Sequence, residues 1–292
     1  LVEEVLQHQS EEVQSFLLQT AILDRMSGPL CDAVVGVEGR NGEADQPQKV
    51  GPPLTHAHVI SPGQETLEYL ERANLFVVPL DSRREWYRYH RLFSDLLRKR
   101  LQEVAPGLIP GLHRRASLWY EQHGDAPEAI RHALATEDFE RAATLIERAA
   151  EATLMRSEVT TFLSWVEALP PALVRARTEL DIWHTWVLLL SGCPLKTIEV
   201  RLQEEEADPD FPAAKALPLR FLITLFRGDL FGAAELSRQA LEQLPEDAFF
   251  LRSLVTWFSG AAESVYGDSE TTQRSLEEAA RKGQEIGNLL VM

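Results

Sequence analysis

Apolar residues recur along this chain at helical spacing almost throughout, and at strand spacing in one short stretch only. Leu1, Val2, Val5 and Leu6 make one stripe, and Val13, Phe16, Leu17 and Leu18 a second, each fitting a buried helix face. Ser10 ahead of Glu11-Glu12-Val13 reads as an N-cap with acids in the first turn, where the helix dipole favours them. Ser27-Gly28-Pro29 breaks the pattern, and Leu30–Val35 predicts a short helix with Pro29 in its first turn. Gln64–Ala73 predicts another, with Leu67 and Leu70 inward. Phe76-Val-Val-Pro-Leu80 and Trp86-Tyr-Arg-Tyr89 then flank the polar turn Asp81–Glu85, which predicts a β-hairpin. Pro79 belongs where its missing N–H faces no partner. His90–Leu101 predicts a helix with Leu92, Phe93, Leu96, Leu97 and Leu101 buried. Helices followed by a hairpin are the order of a winged-helix module, with the hairpin as wing.

Between Gly36 and Gly63 periodicity vanishes and glycines and prolines crowd together, which reads as a mobile insertion. After Pro106-Gly-Leu-Ile-Pro110 everything is helical, in short antiparallel pairs. Leu112–Gln122 stops at His123-Gly124, where Gly supplies the left-handed residue, and Asp125 caps Ala126–Ala135. Asp138–Ala150, Phe221–Phe226, Phe231–Gln243 and Phe249–Tyr266 follow. The stops Gly228-Asp229 and Gly267-Asp268 lie 39 positions apart (267 − 228), close to the period of two-helix repeats such as tetratricopeptide (TPR) units. Ala129, Ala133, Ala142, Ala143, Ala233, Ala234 and Ala240 are small enough for close helix packing. The prediction is a mainly α chain: a winged-helix domain over 1–105, containing the loop 36–63, and a TPR-like α-solenoid over 106–292.

Composition sharpens this. Of 292 residues, 45% are hydrophobic, ample for a packed core and against wholesale disorder. The net charge of −16 argues against the whole chain coating nucleic acid or an anionic membrane. No apolar run approaches the roughly 18 residues of a membrane span. Cys31 and Cys193 match no zinc, redox or disulfide spacing and read as buried small hydrophobes of a protein in a reducing cytoplasm. An opening Leu1-Val-Glu-Glu without an initiator Met reads as a piece of something longer.

Candidate chemistry is sparse. Neither a nucleophile–base arrangement nor a carboxylate pair stands out, so no catalytic residue is assigned and no enzyme activity expected. His56-x-His58 lacks a supporting ligand set, and no metal is expected. Glu204-Glu205-Glu206 with Asp208 and Asp210 reads as a solvated helix end. Trp165, Trp183, Trp186 and Trp257 read as core. Arg83, Arg84, Arg88, Arg91, Arg98, Lys99 and Arg100 form the basic cluster of an acidic chain. A basic wing can bind DNA, but Glu85 and Asp95 interrupt the cluster, and Arg98-Lys99-Arg100 sits at a helix C-terminus, where cations are expected.

The order of segments resembles one family. Leu17-Leu-Gln-Thr-Ala-Ile-Leu-Asp-Arg25 with Cys31-Asp32 resembles its opening stretch, and Leu70-Glu-Arg-Ala-Asn-Leu-Phe-Val-Val-Pro-Leu-Asp81 runs on into Trp86-Tyr-Arg-Tyr-His90 and Leu92-Phe93. His113-Arg-Arg-Ala-Ser-Leu-Trp-Tyr120, Trp165-Val-Glu-Ala-Leu-Pro170 and Trp183-His-Thr-Trp186 continue it. These resemble the middle of MalT-like, large ATP-binding LuxR-family transcriptional regulators of the STAND class, closely over residues 1–190 and loosely beyond. The resemblance implies a parent in which a nucleotide-binding core precedes the winged helix and a DNA-binding helix-turn-helix follows the sensor. This sequence has no Gly-x-x-x-x-Gly-Lys-[Ser/Thr] loop, so ATP and ADP would belong to the parent and no cofactor to this stretch.

The resemblance makes His90 a contact to the ADP phosphate in that parent; read from the residues alone, it is equally a half-buried histidine bonded to the hairpin. The expected partners are the parent's own nucleotide-binding and DNA-binding domains and, on the helical repeats, a small-molecule inducer or regulatory protein. No membrane and no direct DNA contact are expected. The other readings are a TPR-like interaction scaffold without switching, and DNA binding through the wing.

Overall fold

Helix α1 (Glu11–Thr20) starts at its expected cap, the Val13 N–H donating to Ser10 Oγ at 3.3 Å. The computed structural model describes residues 9–36, 61–206, 211, 213–266 and 281. Outside them lie the stripe Leu1–Leu6, most of the insertion with His56 and His58, Asp208, Asp210 and Gly267-Asp268. The described chain is mainly α with one two-stranded hairpin, as expected, and divides into two units, Leu1–Asp138 and Phe139–Met292.

In the first unit, α2 (Gly28–Val35) and α3 (Pro62–Arg72) cross closely. A Cβ on Gly28 would meet Gln64 Cβ at 2.6 Å, and one on Gly63 would meet the Gly28 carbonyl at 2.6 Å. The sequence assigns Gly63 to the loop; it lies inside α3, where its N–H donates to Asp32 Oδ1 at 2.7 Å. Only a residue without a side chain fits there. Strands β1 (Val77–Pro79) and β2 (Tyr87–Tyr89) pair antiparallel, with Pro79 opposite Tyr87. Tyr87 directs its N–H and C=O to Met26 on its other side (2.7 and 2.8 Å), so Pro79 leaves no donor unmet. The Thr20 and Tyr89 hydroxyls, 2.6 Å apart, tie α1 to the hairpin.

Helix α4 (Arg91–Val104) buries Phe93, Leu97 and Leu101, but Leu92 is 76% exposed. The expected burial of Leu92 fails because the inward face runs through positions 93, 97 and 101, and 92 lies off it. Helices α5 (Ile109–Gln122) and α6 (Ala126–Leu134) form a hairpin across Gly124, at φ 75°, with the Asp125 side chain capping α6. This pair packs within the first unit: α5 contacts α2, and Arg115 Nε donates to the Val34 carbonyl at 2.6 Å. Compact packing thus carries the first unit 33 residues past the 105/106 division read from pattern (138 − 105).

The second unit comprises α7 (Phe139–Met155), α8 (Val159–Glu167), α9 (Pro171–Ala176), α10 (Thr178–Leu190), α11 (Leu195–Glu205), α12 (Ala213–Phe226), α13 (Leu230–Gln243) and α14 (Phe249–Tyr266). Most successive helices pack on one another, α12 on α13 above all, with Gly228 left-handed and Asp229 capping α13. Trp183 and Trp186 of α10 meet Phe250 of α14 at ring-centroid distances of 6.1 and 6.2 Å. Trp165, Trp183 and Trp186 are core, as expected, whereas Trp257 is half-buried. Ala142, Ala143, Ala233 and Ala240 are buried, but Ala234 is exposed. Two further expectations fail. Cys193 is half-buried, since it lies in the turn after α10, while Cys31 is wholly buried. Glu205 is buried, not solvated, because Arg201 and Thr185 reach its carboxylate.

Candidate functional site: the recess at the start of helix α4

The hairpin hands the chain to α4 at His90. Its N–H donates to the Phe76 carbonyl at 2.7 Å, and its own carbonyl accepts from the Phe93 and Ser94 N–H groups at 2.9 and 3.0 Å. His90 is the N-cap residue, and its side chain makes no cap bond. The backbone is thus pinned to the hairpin while the imidazole stands exposed. The bond to the hairpin is made by the main chain, and His90 is exposed, not half-buried.

Beside His90 opens a recess of about 490 Å³, lined by Val78, Arg88, Arg91, Arg98, Asp24 and Asp95 among others. Arg98 is fixed, its Nε donating to the Ala21 carbonyl at 2.8 Å and its Nη2 to Asp24 at 2.6 Å. Asp24 also meets Arg131 at 3.3 Å. Arg88, exposed on β2, and Arg91, exposed in the first turn of α4, make no ion pair among the described residues. Two unpaired guanidiniums, a histidine and a helix N-terminus with free N–H groups suit an anion with several oxygens. Asp95 is the opposing charge.

The basic cluster read from sequence does not act as one surface. Arg84 pairs with Glu71 at 3.0 Å, Arg98 with Asp24, and Arg100 approaches Glu103 at 4.0 Å. The structure brings His90, Arg88, Arg91 and Arg98 together and leaves Arg83 and Arg84 on the turn across the hairpin. Asp24 went unnoticed in the sequence, although it stands in the quoted Leu17–Arg25 stretch; only the fold shows that it anchors Arg98. Among the described residues no group of three or more His, Cys, Asp or Glu could hold a metal, and no helix is long and apolar enough to cross a membrane.

Residues 2–109 match the family model of the MalT winged helix domain. The chain is 29% identical over 265 residues to the serine/threonine-protein kinase PknK of Mycobacterium tuberculosis, covering 91% of this chain and 20% of that protein. It is 29% identical over 273 residues to the HTH-type transcriptional regulator MalT of Cronobacter sakazakii (92% of this chain, 28% of that protein) and 28% identical over 294 residues to MalT of Klebsiella pneumoniae (97% and 30%). The chain therefore spans between 20% and 30% of the length of these curated relatives.

Proposed function

We propose, from the premise that this chain is MalT-like and opens on a MalT winged helix domain, that it is the restraining and signal-binding portion of a larger ATP-dependent transcriptional regulator of the cytoplasm. Nine-tenths of the chain or more aligns with a kinase and with HTH-type regulators. What such relatives share is thus neither printed activity, which supports a regulatory part without chemistry of its own.

The observation that carries the reading is His90, exposed at the mouth of the recess and flanked by the unpaired Arg88 and Arg91. These residues fit a nucleotide phosphate, which would supply negative charge for His90 and the α4 N-terminus to hold. In the resting state the winged helix would keep the nucleotide-binding core closed through this contact. The TPR-like helices after it would bind an inducer or regulatory protein, and would favour the open form only as far as that ligand binds the open form better. DNA binding through the wing is the weaker reading, since Arg84, Arg98 and Arg100 are each engaged by a carboxylate.

The test is His90→Ala in the full-length protein, followed by release of fluorescent ADP. Loss of a hydrogen bond to a charged group should speed release about tenfold or more. Unchanged release overturns the role of His90.

A further inference from the structure

The second unit holds a cavity outside everything used so far. Between α9, α10 and α11 a groove of about 700 Å³ opens. Its inner wall is a charged knot. Arg201 donates from Nε to Thr185 Oγ1 at 2.7 Å and Glu205 Oε1 at 3.2 Å, and from Nη2 to the Asp181 carboxylate and to His184 Nδ1 at 3.0 Å. Thr185 in turn donates to Glu205 Oε1. The Glu205 side chain is 4% exposed, and its Oε2 has no partner. Arg201 is therefore held by four groups before any ligand arrives, with Nη1 outside these bonds.

The rim and floor differ from that wall. Arg175 and Lys196 stand exposed at the groove and make no ion pair or hydrogen bond among the described residues. Leu188, Pro194 and Val200 supply apolar surface, Val200 being 48% exposed. Asp181 is spent on Arg201, and burial pushes the Glu205 carboxyl up to about 7, so it carries only part of a charge near neutrality. Glu204 remains as the opposing anion. In a chain with a net charge of −16, this groove gathers three cations, Arg175, Lys196 and Arg201, beside Asp181, Glu204 and Glu205.

We propose that this groove is a binding site for a small organic anion, a carboxylate or phosphate monoester on an apolar body. The anion would lie among Arg175, Lys196 and Arg201, with the body against Leu188, Pro194 and Val200. The size suits a metabolite, and cavities of a few hundred Å³ with an apolar lining and a few convergent polar groups are the usual form of such sites. A guanidinium fixed in advance loses little entropy on binding. The proposal deepens the signal-binding reading of these helices, and its meaning for regulation rests on that reading.

The probes are hexanoate, benzoate, phenyl phosphate and inorganic phosphate, each titrated into the chain by calorimetry, with hexanamide and benzamide as neutral counterparts. At least one organic anion should bind with a Kd below about 10 mM and at least tenfold more tightly than its amide, an expectation set by two or three charge contacts. The double variant Arg175→Gln/Lys196→Gln, confined to exposed side chains, should weaken binding about tenfold or more. Val200→Glu, which sets a negative charge on the floor, should abolish it. Phenyl phosphate binding more tightly than either carboxylate would identify a phosphate monoester as the preferred class, and the reverse a carboxylate. Binding of inorganic phosphate alone, equal binding of the amides, unchanged binding by the variants, or no binding by any anion overturns the site. If the anion binds here and the full-length regulator keeps the same activity with and without it, the site stands and the signal-binding reading of these helices falls.

Discussion

Each unit buries a small knot of titratable groups, and the two are wired differently. In the first, His113 of α5 and His132 of α6 face each other, Nδ1 to Nδ1 at 2.7 Å, with His132 wholly buried and stacked on Tyr120. Arg131 Nη2 lies 3.0 Å from His132 Nε2. An arginine can only donate, so His132 carries its proton on Nδ1 and passes it toward His113. Burial, reinforced by Arg131, holds both rings neutral, well below the ordinary histidine range. In the second unit, the Arg201 knot mixes signs. Burial pushes Glu205 up to about 7 and pulls His184 down to about 4, with Arg201 adding to the latter. Two like shifts add with pH, whereas two opposite ones offset each other.

Breaking the second knot outright should have the largest effect. Arg201→Leu leaves Asp181 and Glu205 buried without their cation, and should cost about 3–5 kcal/mol, read as a lower urea midpoint for the second unit. Sharpening the comparison comes next. Below pH 6.5 the unfolded chain takes up protons that His113 and His132 refuse in the fold, so stability falls as pH falls. Between pH 6.5 and 5 the loss should be about 2–3 kcal/mol. His184 loses stability over the same window. Glu205, whose folded value is raised, contributes stability below its ordinary carboxylate range that is lost as pH rises through 7, so it regains most of that loss on acidification. The second unit should accordingly stay within about 1 kcal/mol. Amide exchange corrected for intrinsic rates, compared between α5–α6 and α10–α11 at the two pH values, checks this; equal losses in both units would refute it. The smallest effect is Glu205→Gln. It removes a carboxylate that is costly when ionised and should raise stability by about 1–2 kcal/mol at pH 8, with little change at pH 5. Thermal melts at both pH values measure it.

The same contrast explains how far the sequence could be read. The hairpin, the caps at Ser10, Asp125 and Asp229, and the left-handed Gly124 and Gly228 follow from local rules, because each depends on residues within one turn of itself. The resemblance of the Leu17–Phe93 stretch brought His90 forward, and the fold brought Asp24, from a distant segment, to Arg98 in the same recess. Glu205 was misread for the same kind of reason. Within its own run of acids it looks solvated; what reaches its carboxylate is Thr185, on another helix, together with Arg201. The spacing of Arg201 and Glu205 by four residues was the one available signal, and alone it suits an exposed pair equally well.

The amino-acid order by itself determined that the chain is mainly helical, that one hairpin interrupts the helices, and that the order is that of a winged-helix module, since these rest on short-range sterics, capping and periodicity; the bounds of the helices between 151 and 220 came only with the structure. Which charges lie free or spent was decided only in three dimensions. Arg88 and Arg91 stay open while Arg84 and Arg98 are paired, and Glu205 lies buried beside an exposed Glu204, because neutralising or desolvating a charge depends on what distant helices bring within about 4 Å of it.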